Sequence, residues 1–303
     1  MKVFVTGGGG FLGRHLIPKL EETGCEVIAP RSNVCDLTNP TSLAPFNSVK
    51  FDQIFHLAAW TQAGDFCLKY PGDQWIINQQ INTNVLTWWS KDQPQAKLIA
   101  IGTSCAYPEE GPLTEDRYLS GEPTPSLYTY AMTKRMLYQG LRALGQQHGL
   151  KWLCVVPSTL YGPGYHSEGK QLHFIYDLIR KIGDASRGGD PPVLWGDGHQ
   201  RRELIHVEDF VRDMLNLTDR ISGELFNIGA GVDRSIRDFA ALIATEVYYE
   251  PSLIQYDTQA YVGSKAKFLD ITKLESVIKV IERIDLQQGI VELIAGRKKI
   301  TTM

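Results

Sequence analysis

Short runs of apolar residues alternate with longer stretches of helical periodicity through the first half of the chain. Lys2-Val3-Phe4-Val5-Thr6 reads as a buried strand, Gly7 to Gly10 as a turn, and Phe11 to Glu22 as a helix closing at Gly24. Pro18 inside that helix predicts a kink or weakened turn. Further strands are expected at Glu26–Ala29, Gln53–Leu57, Lys97–Ile101 and Trp152–Val156, with helices at Asp73–Ser90 and Tyr130–Gln147. Strands alternating with helices make parallel βαβ units. After Pro157, turns take over, with Gly162-Pro163-Gly164, Gly188-Gly189 and Pro191-Pro192. A helix at His173–Ile182 stands between loops, and Leu204–Val207 and Leu225–Ile228 look like strands returning to the sheet. The expected fold is α/β: a Rossmann-type doubly wound parallel sheet with a smaller, discontinuous C-terminal substrate domain. The boundaries fall at 1–160 plus about 204–230 for the first domain, and about 161–203 plus 231–303 for the second.

Composition narrows the function classes. With 303 residues, 43% of them apolar and 21% charged, the chain can bury a large core. A net charge of -3 gives no overall pull toward nucleic acid or an anionic membrane. Arg297-Lys298-Lys299 reads as a solvated tail. The five scattered cysteines have neither metal-ligand nor redox spacing, so no metal is expected and the thiols should be free. The chain opens directly on a strand pattern and has no long apolar run. No signal peptide and no membrane span are therefore expected, and the compartment is the cytoplasm.

Candidate chemistry begins at the glycine turn. Gly7, Gly10 and Gly13, with Phe11 and Leu12 between the last two, keep the G-x-x-G-x-x-G spacing between a strand and a helix. Such a turn lets the backbone approach a pyrophosphate and presents helix N–H groups to it. The end of the second strand offers Arg31 and no carboxylate. A guanidinium suits a 2′-phosphate, which predicts NADP(H) over NAD. Cys35-Asp36-Leu37-Thr38 could flank the adenine. Tyr130 and Lys134 stand at i and i+4 on one helix face, where the ammonium would favour phenolate. Such pairs are common on solvated helices; the position after a glycine turn and a fourth strand gives this one weight. That strand runs into Gly102-Thr103-Ser104-Cys105-Ala106-Tyr107-Pro108, where the hydroxyls of Thr103 or Ser104 could meet a reacting oxygen or merely cap the strand end.

With these segments, the chain resembles the extended short-chain dehydrogenase/reductases, the NAD-dependent epimerase/dehydratase family, and within them the branch of GDP-L-fucose synthases (GDP-4-keto-6-deoxymannose 3,5-epimerase-4-reductases). The resemblance also runs through His56-Leu57-Ala58-Ala59, Leu113 to Asp116, Val156 to Pro163, Leu194-Trp195-Gly196-Asp197-Gly198, Arg202 to Asp209 and Asn227 to Asp233. It implies that Thr103 holds the C4 oxygen, that Tyr130 is the acid for reduction, and that Lys134 tunes it and binds the nicotinamide ribose. It implies Cys105 and His173 as the acid/base pair that epimerises the carbons beside the ketone. Taken alone, either could be a structural side chain. It further implies cofactor contacts from Leu57, Ala58, Ala59, Pro157 and Leu160. Substrate contacts would come from Ser104, Lys181, Trp195, Arg202 and Lys267, the basic ones reaching the sugar-nucleotide pyrophosphate. The expected partners are a nucleotide-sugar substrate, GDP-linked, and a second copy of the chain. That homodimer would form through the helices at Asp73–Ser90 and Tyr130–Gln147, with Trp75, Ile76, Val85, Trp88 and Trp89 available for core or interface.

The chain departs from the family pattern at Gly9, at Thr159, in Trp60-Thr61-Gln62-Ala63-Gly64 and in the loop before His173. These are positions that should line the sugar pocket. A nucleotide-sugar 4-epimerase and a simple 4-ketoreductase remain as alternatives. The first should retain NAD, against Arg31, and the second would not need Cys105 or His173. A dinucleotide sensor without turnover would have no use for Tyr130 and Lys134.

Overall fold

Val3, Phe4 and Val5 are wholly buried, as are Ile54, Phe55, Leu98, Ile99, Leu153 and Val155. Continuous apolar runs of this kind belong to parallel strands covered on both faces, and the computed structural model bears this out. It describes residues 1–165, 172–260, 266–279 and 282–301, with side chains as far as Arg297. The elements of the first half are β1 (Lys2–Thr6), α1 (Phe11–Glu22), β2 (Glu26–Ile28), β3 (Gln53–His56), α2 (Phe66–Lys69), α3 (Pro71–Asp92), β4 (Lys97–Ile101), α4 (Tyr128–His148) and β5 (Trp152–Pro157). There follow β6 (Thr159–Tyr161), α5 (Phe174–Ala185), β7 (Val193–Trp195), β8 (Arg201–His206), α6 (Val207–Arg220) and β9 (Glu224–Ile228). The chain continues through β10 (Asp233–Ser235), α7 (Ile236–Glu246), β11 (Gln255–Asp257), β12 (Ala266–Lys267), α8 (Thr272–Val277) and α9 (Leu286–Thr301).

The main sheet has six parallel strands in the order β2-β1-β3-β4-β5-β9. The order in which strands are added reverses between β1 and β3: β2 lies on one side of β1, and β3 and its successors lie on the other. That is the switch point where open α/β sheets leave a crevice for ligands. Helix α1 runs through Pro18 without a break, and its last turn closes at Thr23 and Gly24. Helices α3 and α4 lie side by side on one face of the sheet. Helix α4 stops at Gly149, whose φ of 67° is the left-handed conformation that ends helices.

A second, smaller core gathers Tyr161, Ile175, Ile179, Ile182, Phe239, Ile243 and Ile290 between α5, α7 and α9. Beside it β8 pairs with β6, β10 and β12. Strand β9 joins the main sheet as expected, but β8 does not return there. Its first residues, Arg201, Arg202 and Glu203, are charged and do not suit a sheet covered by helices on both faces. It pairs with β6, which leaves the main sheet one residue after β5 ends. Of the C-terminal basic cluster, Arg297 is tied down, and the side chains of Lys298 and Lys299 lie outside the described residues. Arg297 holds the Asp184 carboxylate at 2.8 and 3.0 Å and the Arg180 carbonyl at 2.9 Å. Of the five candidate core or interface residues, Val85, Trp88 and Trp89 are core, whereas Trp75 and Ile76 are exposed. No helix among the described residues is long and apolar enough to cross a membrane.

Candidate active site

The glycine turn lies where β1 and β3 separate. Gly7 has a φ of 70°, and a Cβ there would stand 2.8 Å from the Ala58 nitrogen. A Cβ on Gly13 would stand 2.6 Å from the Gly8 Cα, so turn and helix can close on each other only with glycine. The Gly10 N–H donates to the Gly7 carbonyl at 2.9 Å, and Gly10 is the N-cap of α1. The N–H groups of Phe11, Leu12 and Gly13 therefore fall in the first turn, where a helix has no internal acceptor to give them. This is a cradle for a diphosphate, and the residues fit a dinucleotide. Leu57 and Ala58 cross beside it, their N–H groups both donating to the Thr6 hydroxyl at 3.1 and 3.2 Å. Ala59 follows them, and Pro157 closes β5 against Ile228 on the neighbouring strand. Leu160 packs on the main core from β6. Arg31 is exposed just past β2. Asp36 accepts from the Thr38 N–H and hydroxyl at 3.0 and 2.8 Å, bonds that lower its carboxyl below the usual range. Leu37 packs into the core, its carbonyl held by Asn84 at 2.8 Å.

Beyond β4 the chain turns through Thr103, whose hydroxyl accepts the Cys105 N–H at 3.3 Å and whose N–H donates to the Tyr118 hydroxyl at 3.2 Å. Ser104 opens the short 3₁₀ turn that presents Cys105. From β12, Lys267 Nζ reaches to 2.9 Å from Cys105 Sγ. Burial alone would raise this thiol, but the Lys267 ammonium, the Thr103 hydroxyl and the Arg202 charge outweigh it and bring it down. His173 is the N-cap residue of α5, one residue ahead of the helix. Its Nδ1 is buried without a partner among the described residues. Burial, reinforced by Lys267 and Arg202, lowers its pKa to about 4. The ring is therefore neutral near pH 7. Cys105, His173, Lys267 and Arg202 thus form one electrostatic cluster.

Tyr130 completes it from α4. Burial raises the phenol, and the sulfurs of Cys105 and Cys67 raise it further. This corrects the expectation that Lys134 would draw the phenol down. The ammonium is 5.9 Å from the ring centroid and donates to the Ile101 carbonyl at 2.9 Å. It is itself lowered to about 8 by burial. At neutral pH the arrangement holds a protonated phenol next to a cation, which suits proton donation.

The remaining expected substrate residues divide. Arg202 sits with the Cys105 cluster, one residue before the buried Glu203 on β8. Lys267 is held on Cys105 and not out in the cleft. Lys181 and Trp195 lie elsewhere. They border a surface hollow of about 410 Å³ together with Arg180, Asp184, Asp190 and Val193. There Lys181 pairs with Asp177 at 3.2 Å, and its ammonium is 5.8 Å from the exposed Trp195 ring. The loop before His173, residues 166–171, lies outside the described residues. The Trp60 ring packs edge-on against Phe66 and Tyr70, so the variant stretch forms an aromatic wall with α2.

Sequence reading missed the support beneath the site. The buried Thr6 hydroxyl stands 2.9 Å from His56 Nδ1, and His56 Nε2 stands 3.1 Å from Asn82 Oδ1. Burial and the Lys134 charge lower His56 to about 4. The ring is therefore neutral, accepting from Thr6 at Nδ1 and donating to Asn82 from Nε2. Thr6 can then accept both N–H groups of the Leu57–Ala58 turn. Asn82 Nδ2 donates onward to the Thr133 carbonyl of α4 at 3.4 Å. Cys67, on α2, carries no motif that would single it out. The five cysteines are free, and no group that could hold a metal occurs among the described residues.

Known proteins agree with this architecture. Residues 3–229 match the NAD dependent epimerase/dehydratase family. GDP-L-fucose synthase 1 of Arabidopsis thaliana is 32% identical over 91% of this chain and 87% of its own. Probable GDP-L-fucose synthase 1 of Oryza sativa subsp. japonica is 30% identical over 96% and 90%. The crystal structure of a GDP-L-fucose synthetase from Naegleria fowleri bound to NADP superposes with a TM-score of 0.87. It is 22% identical and covers 100% of this chain and 95% of that one. On the match across both the nucleotide cradle and the Tyr/Lys helix, the chain belongs to the NAD-dependent epimerase/dehydratase family.

Proposed function

We propose that this chain is an NADPH-dependent enzyme that reduces a GDP-linked 4-keto-6-deoxy sugar at C4 after epimerising C3 and C5. The carrying observation is Cys105 Sγ held 2.9 Å from Lys267 Nζ, in one cluster with Tyr130 and with His173, whose Nδ1 has no partner among the described residues. A plain reductase needs the tyrosine alone. The relatives named for GDP-L-fucose synthesis support the same reading.

The glycine turn, Arg31 and the Leu57–Ala59 segment would hold NADP(H), which when bound supplies the hydride that reduces C4. The rest is the work of this chain. A 4-ketone acidifies the protons on its neighbouring carbons. Cys105, as thiolate, removes one of these, and the electron pair moves onto the ketone oxygen, where the Thr103 hydroxyl stabilises it. His173, as imidazolium, returns a proton to the opposite face; the thiol then loses its proton to water and the imidazole regains one from water before the second carbon reacts. A substrate diphosphate near Arg202 would offset the positive charge that adds to burial in keeping the imidazole neutral, which raises the ring's affinity for a proton. In the reduction, Tyr130 gives its proton to the C4 oxygen, and the Lys134 ammonium stabilises the phenolate left behind. Lys181 and Trp195 would meet the nucleotide end of the substrate.

The test is turnover of GDP-4-keto-6-deoxymannose with NADPH in deuterated water. NADPH loss with deuterium at C3 and C5 is expected. Loss without deuterium would make this a plain 4-ketoreductase, and no loss would remove the substrate assignment. The exposed face of α3 and α4 carries Trp75, Ile76, Tyr128 and Met136 and is the proposed homodimer contact. A monomeric mass by light scattering at micromolar protein would refute that assembly.

A further inference from the structure

Glu203 stands at the middle of β8 and is 2% exposed. Its Oε1 accepts the Gly231 N–H at 3.0 Å and its Oε2 the Leu269 N–H at 2.9 Å. These donors come from two separate segments: Gly231 precedes β10, and Leu269 follows β12. No ion pair to Glu203 occurs among the described residues. Burial pushes its carboxyl up to about 7, against the pull of the backbone N–H groups of Leu269, Gly231 and Ala230. A buried carboxylate without a cation is a costly way to fill a core position, so its placement calls for a reason.

Strand β12 supplies one. Its described residues are Ala266 and Lys267, paired with Arg201 and Arg202 of β8. The next attachment along the chain is the Leu269 N–H on Glu203, followed by the Asp270 N–H on the Leu113 carbonyl at 3.2 Å. The fit is tight: a Cβ on Gly229 would stand 2.3 Å from Glu203 Oε1.

We propose that Glu203 is a positioning residue that anchors the short strand carrying Lys267, and so holds the ammonium against Cys105. The catalytic consequence rests on the epimerisation reading above; the anchoring itself does not. A carboxylate is required because two N–H donors on different segments each take one of its oxygens. Glutamine has a single acceptor and would turn an NH₂ toward the other donor, repelling it. Around Cys105 the charged or titratable groups are Lys267, Arg202, His173, Tyr130 and Cys67, with the Thr103 hydroxyl as a neutral donor. Among the described residues, Lys267 is a cation hydrogen-bonded to the thiol itself, so loosening β12 should act on the thiol through it.

The experiment is Glu203→Gln in the full chain. It follows alkylation of Cys105 by iodoacetamide from about pH 5.5 to 9, read on the Cys105 peptide by mass spectrometry; the rate reports thiolate. Alongside it run thermal melting and NADPH binding. The labelling curve should move to higher pH, in the direction of Lys267→Met, with the rate at pH 7 falling about fivefold and NADPH affinity within about twofold of the parent. A folded Glu203→Gln protein whose curve superposes on the parent's overturns the proposal. If Glu203→Gln does not melt cooperatively, Gly229→Ala serves instead, because its Cβ displaces the carboxylate and leaves its charge; the same two outcomes decide. Exchange at C3 and C5 in Cys105→Ser separates the two readings. Unchanged exchange there, with a shifted labelling curve in Glu203→Gln, leaves the anchor standing and removes the epimerisation role.

Discussion

Replacing Lys267 with methionine removes the ammonium 2.9 Å from Cys105 Sγ while keeping most of the side-chain bulk. A net hydrogen bond to a charged group contributes about 1.5–3 kcal/mol. At about 1.4 kcal/mol per factor of ten, that converts to roughly a 10- to 150-fold loss in any step that needs the thiolate near neutral pH. The site is partly enclosed, so water replaces the lysine only in part, and the upper half of that range is expected. The assay has two arms. One measures deuterium entry at C3 and C5 with NADPH omitted; the other measures NADPH oxidation on a ketone already epimerised. Exchange should fall by the stated factor and reduction by less than about threefold, since Lys134, which supports Tyr130, hydrogen-bonds to the Ile101 carbonyl and not to Lys267 or Cys105. Equal losses in both arms would mean that Lys267 serves substrate binding, as first expected from the sequence. An unchanged exchange rate would mean that the lysine–thiol contact has no part in the chemistry.

Tyr130→Phe should lower reduction at least about 100-fold and leave NADPH affinity within about twofold by fluorescence titration; retained turnover would remove the tyrosine from the reaction. Arg31→Ala should weaken NADPH binding about tenfold with no change for NADH, and equal effects on the two cofactors would place the 2′-phosphate elsewhere. His56 is held neutral with a pKa lowered to about 4, below the ordinary value of 6.5. The unfolded chain therefore binds a proton that the folded one refuses between those values, and stability falls as pH drops through that window. His56→Gln should reduce proton uptake on unfolding near pH 5 by about one, measured by chemical denaturation across pH. A slope equal to the parent's would show that His56 is already charged in the folded protein.

Much of this was legible because parallel strands are written as unbroken apolar runs. Lys2–Thr6, Lys97–Ile101 and Trp152–Val156 were found within a residue, and the glycine spacing placed the cradle. The short strands were not: Asp233–Ser235, Gln255–Asp257 and Ala266–Lys267 are two or three residues long and mostly polar, leaving no period to detect. Strand β8 was found and attached to the wrong sheet, because periodicity reports burial and not the neighbour. In the site, Cys105, His173, Tyr130, Arg202 and Lys267 lie in one cluster, whereas Lys181 and Trp195 lie apart. What depended on through-space charge did not follow from spacing. The i, i+4 Tyr130/Lys134 pair gave no hint that burial outweighs the ammonium, and nothing at Lys267 announced a sulfur partner 162 positions away. Thr6, Asn82 and Glu203 act by satisfying backbone or ring groups from other elements, so no local pattern marks them.

Between β5 and β6 there is one residue, Ser158, and its N–H is bonded to the Ile228 carbonyl at 3.1 Å. Hinges need loop positions free to absorb large backbone rotations, and this junction has none. The two sheets meet at a fixed corner, like adjoining walls of a room. For such a scaffold, a new sugar preference comes from refurnishing: side chains such as the Trp60, Phe66 and Tyr70 wall can be exchanged while the nucleotide cradle and the Tyr130 helix stay in register.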